Sequence, residues 1–117
     1  MDQTSYRYNW EYRASVRALM LELAKQLLSG DLGVVAAARA LVPFSDVVEP
    51  EIGTILNVFV GIDSETDAFP LGEVRQCWSP ESLERYDLRL AAAELLWRET
   101  AMDAGAKLVH LLESRLG

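Results

Sequence analysis

An all-α fold is predicted, a small helical bundle with a long C-terminal helix and one long ordered loop. Three observations carry it. Apolar residues recur at three- and four-residue spacing over most of the 117-residue chain, which is the helical period. Two sites, Glu49-Pro50-Glu51 and Ser79-Pro80-Glu81, carry the helix-start pattern of proline at the first helical position with acids nearby. The only strand-like run, residues 55–60, has no partner run elsewhere with which to form a sheet. The length is that of one domain, 1–117, with enough chain to bury roughly two-thirds of its unfolded surface.

The first helix is expected over about residues 10 to 28. Val16, Leu19, Met20, Leu23, Ala24 and Leu27 line one face of it, and Ser29-Gly30 closes it because glycine enters the left-handed region without strain. Asn9 or Ser5 is its expected cap, and the alternating Tyr6, Tyr8, Trp10 and Tyr12 read as an extended arm ahead of it. A second helix follows over about 32 to 41, rich in alanine, capped by Asp31 and stopped by Pro43. A third begins at Pro50 and continues through Ile52, Ile55, Leu56 and Phe59.

Residues 61–79 show neither period and read as the long loop, with a short helical turn near 72–77. From Pro80 to 116 an apolar stripe runs through Leu83, Tyr86, Leu90, Ala93, Trp97, Ala101, Ala104, Leu108 and Leu111. It is flanked by the pairs Glu81–Arg85, Glu94–Arg98 and Asp103–Lys107 at i,i+4. Unbroken, this helix is about 55 Å long. A domain of this size has a radius of gyration of only ~13 Å. The helix therefore either bends near Gly105 or projects and is covered by a second subunit, and a homodimer through it is one expectation.

Charge excludes some functions and localises others. The 18 acids and 11 bases give a net charge of −7, which argues against nucleic-acid binding, because phosphate affinity comes from clustered Lys and Arg. Seven acids (Asp46, Glu49, Glu51, Asp63, Glu65, Asp67 and Glu73) lie between residues 40 and 74 with no base, so the other 11 acids are matched by 11 bases. The imbalance belongs to one segment. The N-terminal sequence lacks a secretion-signal pattern, the apolar runs are too short for a membrane span, and the single cysteine makes no internal disulfide. A cytoplasmic protein without membrane contact is expected.

Chemistry-bearing residues are few. His110 and Cys77 fit no zinc spacing, and Cys77 has no base nearby to activate it, so a surface histidine and a structural thiol beside Trp78 are the expectation. Asp63, Glu65 and Asp67 alternate like the opening of a calcium loop, but the sixth position is Ala68 rather than glycine and the twelfth is Val74 rather than glutamate. The EF-hand match fails there, so no cofactor or metal is assigned. Arg75, the only base between residues 40 and 84, is expected to fold back onto Asp63, Glu65 or Asp67 and hold the loop. Arg75 and Trp78 are alternatively anchors for a partner, both types being enriched at binding hot spots.

Gly61-Ile62-Asp63-Ser64-Glu65-Thr66-Asp67, followed by Pro70, Gly72, Arg75 and Trp78 and preceded by Ser29-Gly30-Asp31, resembles small uncharacterised bacterial proteins sharing a GIxSETDxxPxGxxRxxW pattern. Proteins of this kind are loosely similar to immunity or accessory proteins of toxin systems. The resemblance spans most of the chain and draws attention to residues 61–78 without assigning them a role. Two functions follow as expectations. The first is a non-enzymatic protein-binding module whose acidic surface, residues 46–73, meets a basic protein partner. The second is a small-ligand or divalent-metal protein, including an enzyme, built on Asp63, Glu65, Asp67 and Arg75 of the 63–75 loop. Convergence of the three acids on a concave site favours the second; their neutralisation by neighbours favours the first.

Overall fold

The computed structural model describes the backbone of residues 3–116 and the side chains of residues 11–114. Within them the chain forms four α-helices: α1 (Gln3–Ser29), α2 (Val34–Leu41), α3 (Pro50–Thr66) and α4 (Pro80–Leu116). Short 3-10 helices at Val42–Phe44 and Gly72–Cys77 complete it, and no strand occurs among the described residues. The all-α bundle with a long last helix is the fold that the apolar spacing predicts.

The expected extended arm is instead backbone of α1, which begins at Gln3, so neither Asn9 nor Ser5 is its cap. The side chains of Tyr6, Tyr8 and Trp10 lie outside the described residues, and Tyr12 is exposed. The C-terminal end is as expected. Gly30 adopts φ +87°, and the Gly30 and Leu32 amides donate to the Leu27 and Gln26 carbonyls. Asp31 does not cap α2; its carboxylate accepts from the Ser29 hydroxyl at 3.0 Å, and α2 starts two residues later than predicted, with Gly33 at its N-cap.

Burial gathers at one end of the molecule. Val16, Met20, Ala24 and Leu27 of α1 meet Val34, Ala37, Ala38 and Leu41 of α2. Ile52, Leu56, Phe59 and Ile62 of α3 meet the second half of α4 (Ala101, Ala104, Leu108 and Leu112) in the same core. Gly105 is buried where α1 crosses: a Cβ there would stand 3.2 Å from Leu27 Cδ2. A small residue permits this close approach, and α4 runs past it as one helix. Of the two outcomes for α4, projection is the one observed. The longest dimension is 55 Å, the length of α4 itself, and the radius of gyration, 16.1 Å, exceeds the ~13 Å of a compact chain of this size.

The first half of α4 is covered on one side by residues 69–78 and bare on the other, where Leu88, Leu95 and Leu96 are 72, 72 and 73 % exposed. Of the expected i,i+4 pairs, Asp103–Lys107 forms at 3.0 Å. Glu81–Arg85 is not among the ion pairs of the described residues, and Glu94 turns away from Arg98 to α2. No described helix is long and apolar enough to cross a membrane.

Candidate functional site

Three of the five candidate residues sit at the end of α3, which is longer than the sequence suggests. The helix runs through Thr66, so Asp63 and Glu65 are helical and Asp67 is its C-cap. The predicted loop of 61–79 is therefore much shorter, because residues 61–66 belong to α3 and 72–77 to the 3-10 helix. The burial that extends α3 comes from Ile62 and Thr66; the Thr66 hydroxyl satisfies itself by donating to the Ile62 carbonyl at 2.7 Å.

Acids here stand at the negative end of the helix dipole, an unfavourable place worth about 0.3–1 kcal/mol per charge. Arg39 of α2 offsets this. Its Nε lies 3.4 Å from Asp63 Oδ1, its Nη2 donates to the Thr66 carbonyl at 2.5 Å, and its Nη1 donates to the Phe69 carbonyl at 2.8 Å. One guanidinium thus binds an acid, the Thr66 carbonyl, which also accepts from the Phe69 amide, and the Phe69 carbonyl just beyond α3. Glu65 and Asp67 point to solvent and remain exposed.

Arg75 does not fold back onto these acids. Its Nη1 and Nη2 each donate at 2.8 Å to one oxygen of Asp87, and Nη1 also reaches the Pro70 carbonyl at 3.2 Å. The expected partner set was wrong because Arg39 already occupies Asp63, while Asp87 lies on the first turns of α4 beside the 3-10 helix. Trp78 packs edge-to-face on Tyr86 with ring centroids 4.9 Å apart. Phe69 meets the same tyrosine at 6.0 Å, and the Arg89 guanidinium lies 5.6 Å above it. Arg75 and Trp78 therefore fasten residues 69–78 to α4.

The two-point hydrogen bond from Arg75 holds the Asp87 carboxyl below the ordinary aspartate range, and Asp87 raises the Arg75 guanidinium in return. A carboxyl lowered in the folded state contributes stability above its unfolded value and loses it as pH falls through the lowered one. The contribution is thus complete at neutral pH and disappears only in acid. In a carboxyl-detected NMR titration, Asp87 is expected to titrate below ordinary aspartates and to return to their range in Arg75→Gln. An unchanged midpoint in that variant contradicts the assignment. The pair faces solvent, so its effect on stability is small.

The three acids do not converge on a cavity. Asp63 is neutralised, its neighbours face outward, and no group of three or more metal-binding side chains occurs among the described residues. A concavity of about 330 Å³ lies elsewhere, between α1 and residues 46–50. Arg13, Arg17, Asp46 and Glu49 line it, and Arg17 and Glu49 form an ion pair there. This concavity contains no nucleophile with an activating base. A shallower groove of about 530 Å³ runs along α4, with Arg75, Asp87 and Leu88 among its lining residues. His110 and Cys77 are both exposed.

Sequence reasoning missed Arg39 and Tyr86. Arg39 stands one position before the acid-rich window, and nothing in the residue pattern links it to Asp63. Tyr86 appeared only as part of the helical stripe. No protein-family model, curated protein or solved structure matches the chain.

Proposed function

We propose that the protein is a non-enzymatic protein-binding module that presents an acidic surface to a basic partner. One observation carries the reading. Of the seven acids between residues 40 and 74, Asp63 and Glu49 are neutralised by Arg39 and Arg17, while Asp46, Glu65, Asp67 and Glu73 stand exposed. A local excess of acid raises the encounter rate with an oppositely charged protein and selects against acidic ones. An immunity-type protein that neutralises a basic toxin fits these physics. The small-ligand or metal reading on Asp63, Glu65 and Asp67 has less support, since its first member is already paired.

The test is affinity capture from the native lysate on immobilised full chain at 50 mM and 500 mM NaCl. It is repeated with a variant carrying Asp46→Asn, Glu65→Gln, Asp67→Asn and Glu73→Gln. The expected result is one basic protein held at low salt, released at high salt and not held by the variant. A partner held equally by the variant, or no partner together with a melting temperature raised by Ca²⁺ or Mg²⁺, overturns the proposal.

A second reading, association of the chain with a copy of itself through α4, is favoured by the exposure of Leu88, Leu95 and Leu96.

A further inference from the structure

We infer that residues 84–99 of α4 pair with the same segment of a second copy in antiparallel register, with the two-fold axis between Ala91 and Ala92. This rests on the self-association reading and specifies its geometry. The bare side of α4 carries a palindrome. Reading outward from the Ala91-Ala92 junction, Leu88 and Leu95 lie three residues beyond the alanines, Arg85 and Arg98 three further, and Glu84 and Glu99 next to those. At 100° per residue, all eight positions fall within one broad face of the helix, opposite Tyr86, Leu90 and Trp97. All eight are exposed. The globule packs on the opposite side, so a second helix can approach without meeting the body of the molecule.

Antiparallel helices bring the same flank of each copy together, as the like-named flanking positions of antiparallel coiled coils show. On one flank stand Glu84, Ala91 and Arg98, so Glu84 meets Arg98 of the second copy and Arg98 meets its Glu84. On the other flank stand Arg85, Ala92 and Glu99, which pair Arg85 with Glu99 in the same way. Leu88 lies against Leu95 of the second copy, twice, and the alanines at the centre let the helices come close. The palindrome thus places opposite charges on both flanks at once. Glu84, Arg98 and Glu99 form no ion pair within the chain among the described residues, so these charges are open to the second copy.

One helix pair of this length is at the small end of specific interfaces, and a dissociation constant on the order of 10 µM is expected. Sedimentation equilibrium of the full chain from 1 to 200 µM reads it. Glu84→Arg and Arg98→Glu are each expected to weaken the dimer at least about tenfold, and the double exchange to restore it to within about threefold, because each single change sets like charges together. Leu95→Lys is expected to leave only monomer. These positions are exposed, so circular dichroism of each variant should match the parent. The register is read separately in a Cys77→Ser background. Leu88→Cys mixed with Leu95→Cys should give a mixed disulfide in preference to a dimer linked between two 88 positions. A chain that stays monomeric at 200 µM overturns self-association and this register together. A dimer that links 88 to 88, or that the double exchange fails to rescue, overturns the register and leaves self-association standing.

Discussion

Replacing Arg39 by methionine is expected to destabilise the folded chain by about 2–4 kcal/mol, measured by urea unfolding monitored at the far-ultraviolet helical signal. Methionine keeps the unbranched stem, so the cost reports the guanidinium rather than the packing of its methylenes. Three acceptors lose the guanidinium at once: the half-buried Asp63 carboxylate, the Phe69 carbonyl, and the Thr66 carbonyl, which keeps only the Phe69 amide. Asp63 is then a charge at the negative end of a helix dipole with no neighbouring cation, which is the costly half of breaking a partly buried pair. Methionine at position 75 is the control. It removes an equally well-formed two-point pair, but one facing solvent, where the two ions regain water on separation. If the Arg39 change costs no more than the Arg75 change, the assignment of Arg39 as the clamp at the end of α3 fails. Combining Arg39→Met with Asp63→Asn is expected to recover part of the loss, because it removes the unpaired charge.

The two arginines also show where a one-dimensional reading reaches its limit. Burial follows the spacing of apolar residues, and that spacing is local. Val16, Met20, Ala24 and Leu27 are buried as their period requires, and so are Ala101, Ala104 and Leu108, whereas Leu19, at the edge of the first stripe, is 55 % exposed. The end of α3 was not legible because the residue that buries its last turn is Thr66, a polar side chain that breaks the apolar stripe and satisfies its own hydroxyl within the helix. Ion-pair partners were less legible still. Arg75 finds Asp87 twelve positions along the chain and Arg39 finds Asp63 twenty-four positions along, and neither choice follows from proximity in sequence. The acidic window was legible as a charge imbalance. Which of its members face solvent depends on Arg17 and Arg39, both outside the window, and only the fold brings them there. Nor does a stripe count reveal the second apolar face of α4. Leu88, Leu95 and Leu96 fall outside the main stripe, and their exposure emerges only once residues 69–78 and the core are placed on the other side.

Replacing Glu94 by alanine is expected to cost about 1–3 kcal/mol and to act on α2, a helix sixty residues away in sequence. The first amides of α2 have no carbonyl partner within their own helix, and the N-cap, Gly33, has no side chain to offer. The Glu94 carboxylate takes that place, accepting from the Val34 amide at 2.7 Å and the Val35 amide at 3.0 Å, with its charge at the positive end of the α2 dipole. Gly33 is required for the same contact, since a Cβ there would stand 2.9 Å from Glu94 Oε1. Gly33→Ala is therefore expected to displace the carboxylate and give much of the same loss, and combining it with Glu94→Ala should add little, because the two changes remove one interaction. Amide hydrogen exchange locates the effect: Val34 and Val35 should lose protection first, ahead of the α1 and α4 core. Uniform loss across the molecule, or full additivity of the two changes, would show that the carboxylate does not act as the cap of α2. If the cap holds as described, it also ties α2 to the projecting half of α4, so the segment that carries the exposed leucines is anchored to the globule from its buried side.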